Sequence, residues 1–303
     1  MNKLTMRAVL VAVFCNVLFG SAFPMIKLGY KFFNISDDVF SKILYAGIRF
    51  FISGIVVFVV DMLKHKKTPV VQKGNRLNVL LIGLSYTFLQ YIFFYIGLSY
   101  TTGAAGSVVN SASVFIAIVL AHFVYPDDKF NFKKIAGCII GFSGVILACF
   151  ANDGAVKISF YGEGFVLIAG IFFVIGSIIN KKASRIDNNF IVTAYNLIIG
   201  GSLMILTGIL GYNGEITVTF PGVIVLVYLV LVSSVGFTLW SALLRNYPIS
   251  KLSVYNFVIP VSGTMLSGLL LKENVFAWQY VVALFLVSLG IYIVNYISKN
   301  SCG

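Results

Sequence analysis

Ser107-Val108-Val109-Asn110 and Ser253-Val254-Tyr255-Asn256 spell S-V-x-N twice, 146 positions apart. Working outward, the same shift carries Phe132 onto Trp278 and Gly144 onto Gly290. The chain therefore reads as one unit of about half its length, written twice.

The solvent of that unit follows from composition. Of 303 residues, 59% are hydrophobic and 11% charged, with a mean hydropathy of +0.97. A soluble domain would carry about 25% charged residues. Too little polar surface exists to cover a water-soluble globule, so lipid is the expected solvent. A span needs roughly 20 apolar residues. Ten runs qualify: 8–29, 43–62, 77–97, 103–125, 133–151, 161–180, 190–211, 221–243, 249–271 and 276–297. The runs lack the ten-residue, period-two alternation of barrel strands. Their connectors are short and leave no room for a soluble domain.

Ten spans divide into five and five at Ala151–Tyr161, where Asn152-Asp153-Gly154 forms a small polar linker. Five is odd, so the second copy is inverted relative to the first. The expected fold is an all-α integral membrane protein: ten transmembrane helices, as two inverted five-helix repeats (residues 1–151 and 156–298) around a central cavity. Secondary transporters use such repeats to expose one cavity to either side.

The net charge of +12 would suggest nucleic acid in a soluble protein. Its distribution says otherwise. With the N-terminus inside, cytoplasmic segments hold 16 of the 22 Lys and Arg residues and external segments or span ends hold five, Lys27, Lys31, Lys42, Lys157 and Lys272. This bias obeys the positive-inside rule and predicts a multi-pass protein of a bacterial-type plasma membrane, both termini cytoplasmic. Lys3, Arg7, an apolar run and Gly20-Ser21-Ala22 have the layout of a secretory signal. The run is long, continues through Pro24 and Lys27, and precedes nine more spans, so it reads as a retained span.

Cys15, Cys138, Cys149 and Cys302 form no CxxC pair and read as small buried hydrophobes. His65 and His122 lack ligands at metal-site spacing, so neither metal nor cofactor is expected. Gly141-Phe142-Ser143-Gly144 matches the G-x-S-G of rhomboid-type intramembrane proteases, which makes a membrane-embedded serine enzyme at Ser143 the alternative from another class. Its nucleophile needs a base in reach. His122, the only histidine inside a span, lies some two turns away in depth. Gly137-x-x-x-Gly141 reads equally as a small-xxx-small packing face. A sensor or scaffold without transport is a third reading, disfavoured by the short loops.

Among charged residues only Arg49 lies well inside a span. A charge at that depth is costly and marks either a substrate contact or a structural pairing. No acid sits centrally in a span, so no proton-relay carboxylate is visible. Asp61 reads as an interfacial residue. Glu273 and its repeat partner Asp127 end equivalent spans at opposite faces and read as gate-rim acids. The deep polar groups are neutral: Asn16, Tyr86, Gln90, Asn110, Asn196, Trp240, Tyr255 and Asn256. Ser107 shares a face with Asn110, as Ser253 does with Asn256 and Pro260. The expected substrate cavity comprises Asn16, Arg49, Tyr86, Gln90, Ser107, Asn110, Trp240, Ser253, Asn256 and Pro260. Its chemistry suits a small neutral or zwitterionic organic solute. The expected partners are that solute and the lipid bilayer, not nucleic acid; the oligomeric state is left open.

Several segments resemble the EamA-type transporters of the drug/metabolite transporter superfamily. Phe19-Gly20-Ser21-Ala22-Phe23-Pro24-Met25-Ile26-Lys27 is similar to that family's W-G-s-s-F-x-x-x-K, with Phe19 for Trp. Arg49-Phe50 resembles its second-span R-F, Leu269-Leu270-Leu271-Lys272-Glu273 its L-x-x-L-G-E, Gly141-Phe142-Ser143-Gly144-Val145 its fifth-span G-f-x-G-v, and Pro260-Val261 its P-V pair. The first copy departs, with Val114 at the proline position and Pro126-Asp127-Asp128 where the family has Glu. The resemblance covers essentially the whole chain. It implies ten helices around a cavity and movement of small metabolites, frequently export.

The charge bias makes one direct statement. A cysteine placed in the Leu63–Arg76 loop should react with a membrane-impermeant thiol reagent only from the cytoplasmic side. Labelling from outside would overturn the topology.

Overall fold

The computed structural model describes residues 5–35, 38–124, 132–149, 159–212, 214, 216–247, 252–273 and 278–298. These residues form helices and connectors, with no strand among them. Six helices are long and apolar enough to cross a membrane: α1 (Met6–Phe32), α2 (Val39–His65), α3 (Lys73–Tyr100), α6 (Phe160–Ile186), α7 (Asn189–Leu210) and α8 (Phe220–Asn246). Between and after them lie α4 (Gly103–Asn110 continued by Ala112–Val124), α5 (Phe132–Cys149), α9 (Ser253–Phe257 continued by Val258–Leu271) and α10 (Trp278–Ser298). Ten helices thus follow in the expected order.

Helix ends are set by short polar side chains that accept the first free backbone N–H groups. Thr5 accepts from Ala8 N in α1, Asp38 from Phe40 N and Ser41 N in α2, Asn188 from Phe190 N in α7, and Thr219 from Gly222 N in α8. These caps sit outside the apolar runs. That is why α1 spans Met6–Phe32 where the sequence marked only 8–29.

The two halves interlock. α1 lies along α8 and α9, while α6, its counterpart, lies along α3 and α4. Each half thereby lays its first helix against the third and fourth helices of the other. The corresponding helices α2 and α7, α4 and α9, and α5 and α10 pack against each other. Two of these pairs close on glycine. A Cβ on Gly201 of α7 would stand 2.5 Å from Phe51 N and 2.9 Å from Phe51 Cα. One on Gly290 of α10 would stand 2.6 Å from Gly137 O and 2.7 Å from Gly141 Cα. Backbones approach this closely only where no side chain intervenes, and in lipid such contact replaces the hydrophobic effect as the force between helices. The Gly137-x-x-x-Gly141 face has its packing partner here.

Gly201→Leu is expected to destabilise the bundle by about 1–3 kcal/mol or more, because backbone must move to admit the side chain. Gly74→Ala, where a Cβ meets nothing within 4 Å, should leave stability unchanged. Thermal unfolding in detergent compares the two, and equal melting temperatures would contradict the glycine seam.

Candidate functional site

Apart from the short 3-10 turn Lys73–Asn75 at the start of α3 and the π-helical turn Phe160–Gly164 at the start of α6, three departures from α-helical geometry lie within the bundle, and these three border the same space. In α3, Gly83–Leu89 widens into a π-helical turn carrying Tyr86, and Gln90 follows it. In α4 the helix breaks at Ser111, directly after Asn110. There Ser111 N bonds Val108 O at 3.1 Å, Val114 N bonds Ser111 O at 3.1 Å, and the Ser111 hydroxyl also donates to Val108 O. In α9 the first five residues, Ser253–Phe257, form a 3-10 segment that carries Asn256. Pro260 explains the second break, since it lacks the N–H an α-helix would return to Asn256 O. The first copy has Val114 there, and its break rests on Ser111 instead, a serine that bonds back to its own preceding turn.

The space these segments border is a cavity of about 60 Å³, above the size that admits water. Its walls come from α1, α3 and α4 of the first half and α6, α8 and α9 of the second, with Arg49 contributed by α2. The contributing helices are thus equivalent in the two repeats. Eight lining residues are aromatic. Tyr86 stacks on Phe173 at 5.4 Å, and Gly176 leaves the room for that ring. Phe19 meets Phe237 and Trp240 edge-on at 5.7 and 6.3 Å, and Phe23 meets Phe94 at 5.3 Å. Edge-to-face contacts of this kind hold large rings in fixed orientations.

Arg49 is 2% exposed. Its Nε donates to Leu229 O at 3.2 Å and Ser233 Oγ at 3.1 Å, and its Nη1 donates to Tyr95 Oη at 2.8 Å. The guanidinium carbon stands 4.9 Å from the Phe50 ring centroid. No carboxylate pairs with it among the described residues. Neutral groups from α3 and α8 therefore orient the charge at the cavity wall without cancelling it. Arg49 is at once a tie between three helices and a cation facing the cavity.

The amides differ from it in one respect: they have unused acceptors. Asn16 Nδ2 donates to Ala12 O at 2.9 Å, which fixes Oδ1 as the free end. Asn16 Oδ1, Gln90 Oε1 and Asn256 Oδ1 are all buried without a hydrogen-bond partner, and all three residues line the cavity.

At the end of the bundle where α3 turns into α4, two acids of the second half grip the first. Glu273, just past α9, accepts from Gly103 N through Oε1 and Ala104 N through Oε2, each at 2.9 Å. It caps the α4 N-terminus from outside that half, where a negative charge is favoured. Glu163, near the start of α6, accepts from Thr101 Oγ1 at 2.7 Å and from Ser159 N at 3.0 Å. At the opposite end Asp61, near the end of α2, is buried. It meets His65 Nδ1 at 2.8 Å and accepts from Asn188 Nδ2 at 3.1 Å.

Of the ten cavity residues expected from sequence, Asn16, Arg49, Tyr86, Gln90, Asn110, Trp240 and Asn256 line the cavity. Ser107 is buried beside it instead. Its hydroxyl donates to Ala104 O and lies 3.3 Å from Thr264 Oγ1, in the α4–α9 contact. Pro260 is buried and shapes the backbone without lining the space. The Ser253 side chain and Asp127 lie outside the described residues. Ser143 is exposed, its hydroxyl donating to Ile140 O of its own helix. Ser113 and the aromatic positions Phe19, Phe23, Tyr91, Phe94, Phe173 and Phe237 complete much of the lining. Sequence reasoning named only Phe19 and Phe23, as parts of the first-span motif, and placed none of these residues in the cavity, since no feature separates these rings from the many facing lipid. Sequence reasoning missed Glu163, whose one available signal is that it is an acid at a span end.

Interlocked inverted halves enclosing a central, partly polar cavity define a membrane carrier. The sequence matches the EamA-like transporter family twice, over residues 6–150 and 160–296, and the chain belongs to that family. It is 25% identical over 302 residues, 93% of each chain, to a protein of Escherichia coli (strain K12) named "Probable amino-acid metabolite efflux pump". It is 26% identical over 303 residues to "Uncharacterized transporter YvbV" of Bacillus subtilis (strain 168), covering 97% of this chain and 93% of that one. A solved crystal structure superposes with a TM-score of 0.73 at 16% identity, over 98% of this chain and 99% of the other, which shows the shared fold.

Asn256→Ala and Asn110→Ala should each raise the apparent substrate constant at least fivefold. A lost buried hydrogen bond costs about 1–3 kcal/mol, roughly a five- to 150-fold weakening. Concentration-dependent flux through reconstituted variants measures this. Unchanged constants in both would make these residues helix contacts only.

Proposed function

We propose that the protein exports a small neutral or zwitterionic organic solute, an amino acid or related metabolite, across a bacterial-type plasma membrane. It does so by alternating access, with both termini in the cytoplasm and repeat units of residues 1–151 and 156–298. One observation carries this reading. A cavity built from equivalent helices of both halves presents neutral amides, aromatic rings and a single uncancelled arginine. That set hydrogen-bonds an organic molecule and its carboxylate, and it contains no carboxylate of its own to charge-balance a bare metal ion. The name of the Escherichia coli relative points to the same solute class. Glu273 and Glu163 fit a gate: their bonds join the halves where α3 turns into α4, and they must part when that end of the bundle opens.

The enzyme alternative has little support. Ser143 bonds its own helix on an exposed face, and the named relatives are transporters. Ser143→Ala should leave flux nearly normal.

The deciding experiment is uptake and counterflow by the purified protein in proteoliposomes against a panel of amino acids, other metabolites and inorganic ions. Flux of an organic solute is expected. Exclusive passage of an inorganic ion would defeat the reading, and absence of all flux would favour a sensor or scaffold.

A further inference from the structure

We infer that Asn16, Gln90 and Asn256 form a binding site for a primary ammonium group, and that the carrier selects solutes bearing one. This rests on the carrier reading and narrows it. The three side chains come from α1, α3 and α9, so separate elements converge on one cavity. Each is at least nine-tenths buried, and each keeps an amide oxygen without a partner. The Asn16 bond to Ala12 O occupies its nitrogen and leaves its oxygen as the unpaired end. Buried acceptors are normally paired, and exceptions call for an explanation. Three in one cavity are explained by a donor that arrives with the ligand.

The chemistry of that donor is specific. An –NH3+ group carries three N–H donors and no acceptor, one for each free oxygen. Bonds from a charged donor are stronger than neutral ones. A carboxylate would be repelled by these oxygens, but Arg49 on the same cavity supplies its complement. A primary amine and a carboxylate on one small molecule satisfy both ends. The aromatic wall offers a competing account, because rings also attract quaternary ammonium groups through their faces. The two accounts differ in whether N–H donors are required.

The test compares ligands matched in size. Binding to the purified protein is measured by calorimetry and by competition for flux, using L-leucine and L-phenylalanine. Each is set against its deaminated acid (4-methylpentanoate, 3-phenylpropanoate) and its N-trimethyl betaine. The amino acids should bind at least tenfold more tightly than either partner. In Gln90→Met, which keeps the side-chain length but removes the oxygen, that advantage should fall below threefold. Asn256→Leu serves as the second variant, and the wild-type comparison needs no variant at all. Betaine binding equal to the amino acid would overturn the proposal in favour of the aromatic wall. Deaminated acids binding equally well would overturn it with the carrier reading intact. So would an advantage that survives in both variants. Failure of both amino acids to bind, with other organic solutes still transported, would also overturn it, whereas loss of all flux would remove the carrier reading itself.

Discussion

Inside a hydrocarbon layer a backbone N–H or C=O has no water to turn to, so it must be satisfied within its own helix or by protein around it. The architecture follows from this demand. It makes every run of apolar sequence a helix, and it restricts where a helix can be broken. The π turn of α3, the break at Ser111 in α4 and the 3-10 start of α9 all border the cavity, away from lipid. These three breaks and the cavity coincide because a polar cavity is where such backbone can persist inside the bundle, whereas the π turn Phe160–Gly164 sits at a helix start with its rings exposed.

The same demand shapes how the halves meet. With lipid as apolar as leucine, contact area and close backbone approach hold the bundle together. The glycines of α2, α7, α5 and α10 supply that approach between corresponding helices. The cavity helices pack by exchange: the first helix of each half leans on the third and fourth of the other. Carboxylates add a different kind of tie. Glu273 and Glu163 hold the α3–α4 turn by discrete hydrogen bonds, which break at a defined geometry and re-form elsewhere more readily than a packed seam.

Much of this was legible in the sequence because it depends on patterns the chain states directly. Apolar length gives the spans, and the spaced S-V-x-N pair gives the repeat and places Asn110 and Asn256 at equivalent positions in the two copies. Arg49, Asn16 and Gln90 stood out because polarity at membrane depth is rare. What escaped depends on three-dimensional packing. Ser107 shares a helical face with Asn110, yet it is taken up by Thr264 from α9. The ring wall could not be sorted from lipid-facing rings by spacing. The break of α4 has no proline to announce it. Tyr95, an ordinary aromatic in sequence, holds Arg49 in place.

The arginine has one more consequence. Duplication gives a cavity two equivalent ends, in which a molecule with a distinct head and tail would lie either way round at equal energy. Arg49 removes that degeneracy: α7, the counterpart of α2, contains no lysine or arginine. One half of the molecule is thus chemically marked although its scaffold is not. Under the proposed carrier reading, a cargo whose carboxylate meets Arg49 stays aligned with that mark as access passes from one side to the other, so the same chemical group leads at every departure.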